Sequence, residues 1–161
     1  MKKQIVFPVV RENSNPIEFE RIGFYADRKT AEQAAEEAAN KYSLSDVYVD
    51  DEILAFVEDG DVYSLTDKHW NGEPTSVPTK KIVFCSMYEM NSGYENCEII
   101  ENIFEDRDSA EAYSQEEEDE FRNDPDIDEE EERDTSFYVD DRMAVIDGTD
   151  VYVLVGKLKK V

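Results

Sequence analysis

YVDD stands at residues 48–51, within DVYVDDEILAFV (46–57), and returns at residues 138–141, within FYVDDRMAVI (137–146). Both runs are otherwise rich in β-branched, aromatic and aliphatic residues, so each reads as a strand, and adjacent carboxylates in a strand are uncommon. Their recurrence asks whether the rest of the chain repeats too. It does: KQIVF (3–7) matches KKIVF (80–84), ADRKTAE (26–32) matches EDRDSAE (105–111), and DGDVYSL (59–65) matches DGTDVYVL (147–154). The four blocks keep their order, and their offset grows from 77 to 79 to about 90. This pattern predicts a tandem duplication with an insertion of roughly ten residues in the second copy, between the second and third blocks.

Each copy has the same plan. A first strand (5–10; 82–88) leads through a polar turn, RENSNP (11–16) or EMNSGYEN (89–96), into a second (17–25; 97–104), which predicts a hairpin. Asp27 and Asp106 follow as helix N-caps, their side-chain oxygens available to the free amides of the first turn. In the first copy Ala31, Ala34, Ala35, Ala38 and Tyr42 make one apolar stripe, and alanine there lets a helix lie close to a sheet. The second copy's stripe is Ala110, Tyr113, Ser114, Glu117 and Phe121; Glu117 interrupts it, so this helix is expected to be held less strongly or to be partly displaced. The third strand carries YVDD and the fourth (62–65; 151–158) returns after a turn at Asp59-Gly60 or Asp147-Gly148. The expected fold is α+β: a duplicated ββαββ module at 1–66 and 80–161, each an antiparallel sheet with one helix on a face. Residues 67–79, with two prolines, a glycine and no periodicity, read as a linker, with Trp70 packing it down. The acidic insertion is 123–135, where Pro125 ends the preceding helix.

The chain has 161 residues and a net charge of −24, unevenly spread. Residues 1–80 carry −7, whereas 89–141 hold 23 acids and three bases, a net −20. Such a field repels nucleic acid and anionic membranes and attracts basic surfaces. The apolar run in MKKQIVFPVV is too short for a signal peptide, and no run approaches the ~20 residues of a membrane span. A cytoplasmic protein with reduced thiols is expected.

Chemistry-bearing motifs are sparse. The one histidine, His69, lies in the linker, and no GxSxG, P-loop or HExxH pattern occurs. Cys85 and Cys97 lack an accompanying base and read as core residues. No catalytic residue, metal ligand or cofactor is assigned, and an enzyme is not expected. Asp50, Asp51, Asp140 and Asp141 could converge on a divalent cation, but a strand-edge or bulge role explains them better, since no third fixed ligand accompanies them. Asp124, Asp126 and Asp128 have the one-three-five spacing of a calcium loop, yet Glu129 stands where its glycine belongs and Thr135 where its bidentate acid belongs.

The densest charge is EEEDEFRNDPDIDEEEERD (116–134), thirteen acids against two arginines. As a helix it would span roughly 28 Å at ~1.5 Å per residue, a length over which duplex DNA carries about 17 phosphates at one per ~1.7 Å. In size, charge and lack of catalytic groups the chain resembles small acidic DNA-mimic inhibitors made by phages and mobile elements against restriction or CRISPR nucleases. That resemblance implies a partner: a basic nucleic-acid-binding host protein, a nuclease or defence complex. The residues expected to act as phosphate surrogates are Glu116, Glu117, Glu118, Asp119, Glu120, Asp124, Asp126, Asp128, Glu129, Glu130, Glu131 and Glu132. Two alternatives stay open. One is an interaction module, which could be a homodimer, using sheet edges or the rings of Tyr48, Tyr63, Tyr138 and Tyr152. The other is a divalent-cation-binding protein.

Overall fold

The computed structural model describes all residues except 15–16, 43–44, 92–95 and 160–161; of residues 14, 17, 18, 96 and 97 only the backbone is described. The parts of the two polar turns at 15–16 and 92–95, and the Cys97 side chain, therefore lie outside the described residues. The protein is mixed α+β, with three helices among the described residues and mostly antiparallel strands. No helix among them is long and apolar enough to cross a membrane. Contacts divide the chain into two compact units, Met1–Leu65 with Tyr152–Val161, and Thr66–Val151.

In the first unit, β1 (Lys2–Ser14) forms the expected hairpin with β2 (Ile17–Tyr25); β1 extends into the stretch read as a turn, whereas β2 keeps its expected limits. Asp27 caps α1 (Arg28–Lys41), accepting a hydrogen bond from the Thr30 amide at 3.0 Å. The alanine stripe acts as its spacing requires. Ala31 and Ala35 are buried and packed with Val9, Phe7, Ile22, Val47 and Val49. On the other face of β1, Val6 is buried with Phe24, Ala55 and Val62.

The third strand of this unit is split into β3 (Asp46–Val49) and β4 (Ile53–Glu58). The cause is Pro8, which has no N–H to offer the facing strand. Pairing runs to Val9↔Val49, the Asp50 amide donates to the Pro8 carbonyl at 2.9 Å, and pairing resumes at Val6↔Ile53. Three steps along β1 thus face four along its partner, so YVDD ends at a bulge here. The hairpin from β4 to β5 (Asp61–Leu65) turns at Asp59 (φ 51°) and Gly60 (φ 83°), the left-handed pair that a two-residue turn requires. Beyond β5 lies β10 (Asp150–Lys157), paired at Tyr152↔Leu65 and Leu154↔Tyr63. Residues 152–157 of the last strand therefore complete the first unit rather than the second.

The second unit is built on β7 (Thr75–Asn91), flanked by β8 (Asn96–Phe104) on one side and β9 (Thr135–Gly148) on the other. Here YVDD lies within an unbroken strand, at Cys85↔Asp140 and Phe84↔Asp141, and Cys85, unlike Pro8 at the matching position, retains a backbone N–H. Residues 67–79, expected as a linker, contain β6 (Trp70–Asn71), which pairs parallel with β8, and the first residues of β7. Trp70 is buried and donates from Nε1 to the Glu73 carbonyl at 3.0 Å, so it does fix this stretch. α2 (Arg107–Arg122) is capped by Asp106 and buries Ala110 and Ser114. It runs its full length on the sheet, so the interruption at Glu117 has not displaced it. A further helix, α3 (Glu129–Asp134), lies inside the acidic insertion. Both hairpins carry a register shift at matching places, Val9/Val10 in β1 and Ser86/Met87 in β7.

Candidate functional site

The acids of 116–134 all belong to the second unit. They occupy three pieces: the last two turns of α2, a connector at 123–128, and α3. The array is folded back on itself rather than being the single rod a continuous helix would give.

Three devices hold it. The first is aromatic. Phe121, near the end of α2, packs against Phe137 of β9 at 5.4 Å between ring centroids and near Tyr88 of β7 at 6.5 Å, while Tyr88 and Phe137 are themselves 5.4 Å apart. These edge-on and tilted contacts seat the end of the helix on the sheet. The second is Arg122. Its Nε lies 3.0 Å from Glu118 Oε1, and its other arm donates to the Glu132 carbonyl at 3.3 Å and lies 3.7 Å from the Glu132 carboxylate. One guanidinium thus ties α2 to α3 and neutralises part of the repulsion between them. The third is local capping. Asp128 accepts from the Glu131 amide at 2.8 Å, opening α3, and Asp124 accepts from the Asp126 amide at 2.9 Å in the connector. Asp124 and Asp128 are therefore used as turn and cap acceptors.

The remaining acids face solvent. Glu116, Asp119, Glu120, Asp126, Glu129, Glu130, Glu131 and Glu132 are exposed. Glu118 is half-buried under Arg122. Glu117 turns inward toward Glu101 of β8, so it is not an outward-facing surrogate. Glu101 carries no signal in its own surroundings. The clue lies in the other unit, where Ile22 holds the same place five residues before the helix cap.

The carboxylates of the second YVDD are engaged with arginines. Asp140 meets Arg142 at 3.1 Å, and Arg142 also reaches Glu98 at 2.9 Å; Asp141 lies 3.5 Å from Arg107. Asp50 and Asp51 lie in the other unit, at the break between β3 and β4. Among the described residues, no three His, Cys, Asp or Glu side chains are grouped to hold a metal ion. Of the four tyrosines considered as binding faces, Tyr63 and Tyr152 are buried in the first unit, with only 1% and 3% of their surface exposed. Tyr48 is exposed and donates to Glu12 at 3.0 Å. Tyr138 is half-buried, its hydroxyl pushed up to about 12 by burial and the adjoining Glu98.

Cys85 is buried, and burial pushes its thiol up to about 11. A thiol so disfavoured as thiolate is a poor nucleophile at neutral pH. Compared with known proteins, the chain matches no protein-family model, no curated protein and no solved structure.

Proposed function

We propose that the protein is a non-enzymatic polyanion mimic that occupies a basic nucleic-acid-binding surface of another protein. The observation that carries this reading is the anchoring of the acids. Exposed carboxylates crowd on α2, the connector and α3, yet aromatic packing, the Arg122 tie and the Asp128 cap hold these segments in fixed places. Self-repulsion among such charges destabilises a fold, so a scaffold that fixes them needs a reason outside the fold. A fixed array loses less conformational freedom on meeting a cationic groove than a loose tail would. Its partner class is a nuclease or defence complex that grips phosphates with Lys and Arg, and the protein acts in the cytoplasm beside it. We infer further that the two units descend from one ββαββ module by tandem duplication. The ordered sequence blocks, the Asp27 and Asp106 caps and the matching register shifts support that history.

The test is capture from a host lysate by the full chain at two salt concentrations, with and without excess duplex DNA, followed by mass spectrometry. The expected captives are nucleic-acid-binding proteins. They are released by salt and by DNA, and lost when Glu129, Glu130, Glu131 and Glu132 are changed to Lys. Captives that resist both salt and DNA, or that bind the reversed variant equally, would sink the reading.

A second reading, docking through the sheet, has one observation in its favour. Ile5 and Leu54 are cross-strand neighbours in the first unit and are 41% and 45% exposed. Binding that persists in high salt and is lost in Leu54→Glu would support it.

A further inference from the structure

Under α1 of the first unit, Ile22 packs with the helix, and Ala38 stands eleven residues after the cap. The second unit has Glu101 and Glu117 at the same distances from its own cap, five before and eleven after Asp106. An isoleucine packed under the helix and an alanine on the helix are thus replaced by two acids. One oxygen of Glu101, Oε1, is sealed from solvent, and no N–H or hydroxyl among the described residues donates to it. The group within hydrogen-bonding reach of Glu101 is the Glu117 carboxyl. Two carboxylates can only accept; a bond between them requires that one keep its proton.

Their surroundings favour keeping it. The pair lines an open cavity of about 250 Å³ with Tyr88 from β7, Phe121 from α2 and Phe137 from β9. Glu120 and Asp124 complete that lining with further negative charge, and Tyr113 of α2 lies close enough to feel Glu117, Glu101 and Glu120. The positive charge acting on Glu101 is Lys68, two residues before β6, which also lies 3.9 Å from Asp67.

We propose that Glu101 and Glu117 share one proton, and that this pair is a pH-sensitive latch between the acid-bearing helix α2 and its sheet. Burial first, and then the Glu117 charge and hydrogen bond, push Glu101 up to about 7. An acid raised on folding favours the folded state fully below its ordinary range and loses that advantage as pH rises toward its folded value. The latch is therefore closed in mild acid and released across neutral pH, where two carboxylates face each other and α2 is held by its other anchors, among them Phe121 and the Tyr113 ring packed on Phe104 at 5.4 Å. The inference uses no partner and stands or falls apart from the polyanion reading.

The test is a carbon-detected NMR titration of the glutamate side-chain carboxyls of the full chain from pH 4 to 9. One carboxyl of the pair is expected to titrate near 7, far from the exposed glutamates, and α2 amides should gain exchange protection below that midpoint. Removing the neighbouring carboxyl in Glu117→Gln should bring Glu101 down by about one pH unit or more. If every glutamate titrates below about 5.5, or if Glu101 is unmoved by Glu117→Gln, no proton is shared and the latch does not exist. Glu101→Ile with Glu117→Ala restores the pair found in the first unit and should abolish the pH dependence of α2 protection; persistence of that dependence also refutes the proposal.

Discussion

Phe121→Ala probes the anchor on which the acidic surface depends. The ring is half-buried at the end of α2, so its truncation returns roughly 100 Å² of apolar surface to water, about 2.5 kcal/mol at ~25 cal/mol per Å². Its contact with Phe137 at 5.4 Å adds about 0.5–1 kcal/mol beyond area, and the longer contact with Tyr88 at 6.5 Å adds less. A loss near 3 kcal/mol follows, at the lower end of the ~3–5 kcal/mol seen when fully buried Phe is cut to Ala. For a chain of this length that corresponds to a fall in melting temperature of roughly 6–12 °C. Trp70, the single tryptophan, is buried in the same unit, so its fluorescence during urea unfolding reads the effect directly. Phe121→Leu, which keeps most of the area and loses the ring contacts, should cost only about 1 kcal/mol. A cost below about 1 kcal/mol for Phe121→Ala, or equal costs for Ala and Leu, would show that the aromatic trio does not hold the helix.

Two further predictions concern other parts of the fold. Hydrogen bonds from the Ser109 amide and hydroxyl hold the Asp106 carboxyl below its ordinary range, so its contribution is present above that range and is lost as pH falls through the lowered value; Asp106→Asn should keep the α2 cap yet flatten the acid limb of a stability–pH curve, and Asp106→Ala should lose both. Cys85, buried with its thiol pushed up to about 11, should resist a disulfide-exchange reagent at pH 8 in the folded protein and react fully in urea; rapid labelling of the native chain at Cys85 would contradict its placement.

What the sequence revealed was whatever depends on local chemistry. The Asp27 and Asp106 caps, the alanine stripe of α1, the β2 limits and the Asp59-Gly60 turn each follow from a residue type acting on its own backbone neighbours, and each is found where expected. Features set by a distant partner were hidden. The split between β3 and β4 depends on Pro8, some forty residues away, whose missing amide matters only once the strands face each other. Likewise, α3 was masked by its own acidity: four consecutive glutamates carry no apolar stripe to mark a helix face, and only in the fold do Asp128 and Arg122 cap and tie them. Glu117 was visible as an interruption of the helical stripe, but its partner was not, because Glu101 lies on a strand whose register shift brings it beneath α2. The acids named as surrogates were easy to pick out by composition; which of them face outward required the helix faces.

The composition of the first unit has a consequence for how the chain is made. Its residues are not contiguous: β5 waits for Tyr152–Lys157 of β10, which leaves the ribosome only after the whole of the second unit, whose residues run without interruption from Thr66 to Val151. During translation the N-terminal hairpin, α1 and the β4–β5 hairpin stand with an unpaired edge while everything needed for the later unit emerges. Nascent chains stopped after residue 151 should therefore present β5 as an open template for intermolecular strand addition, and supplying the missing strand as a peptide should close it.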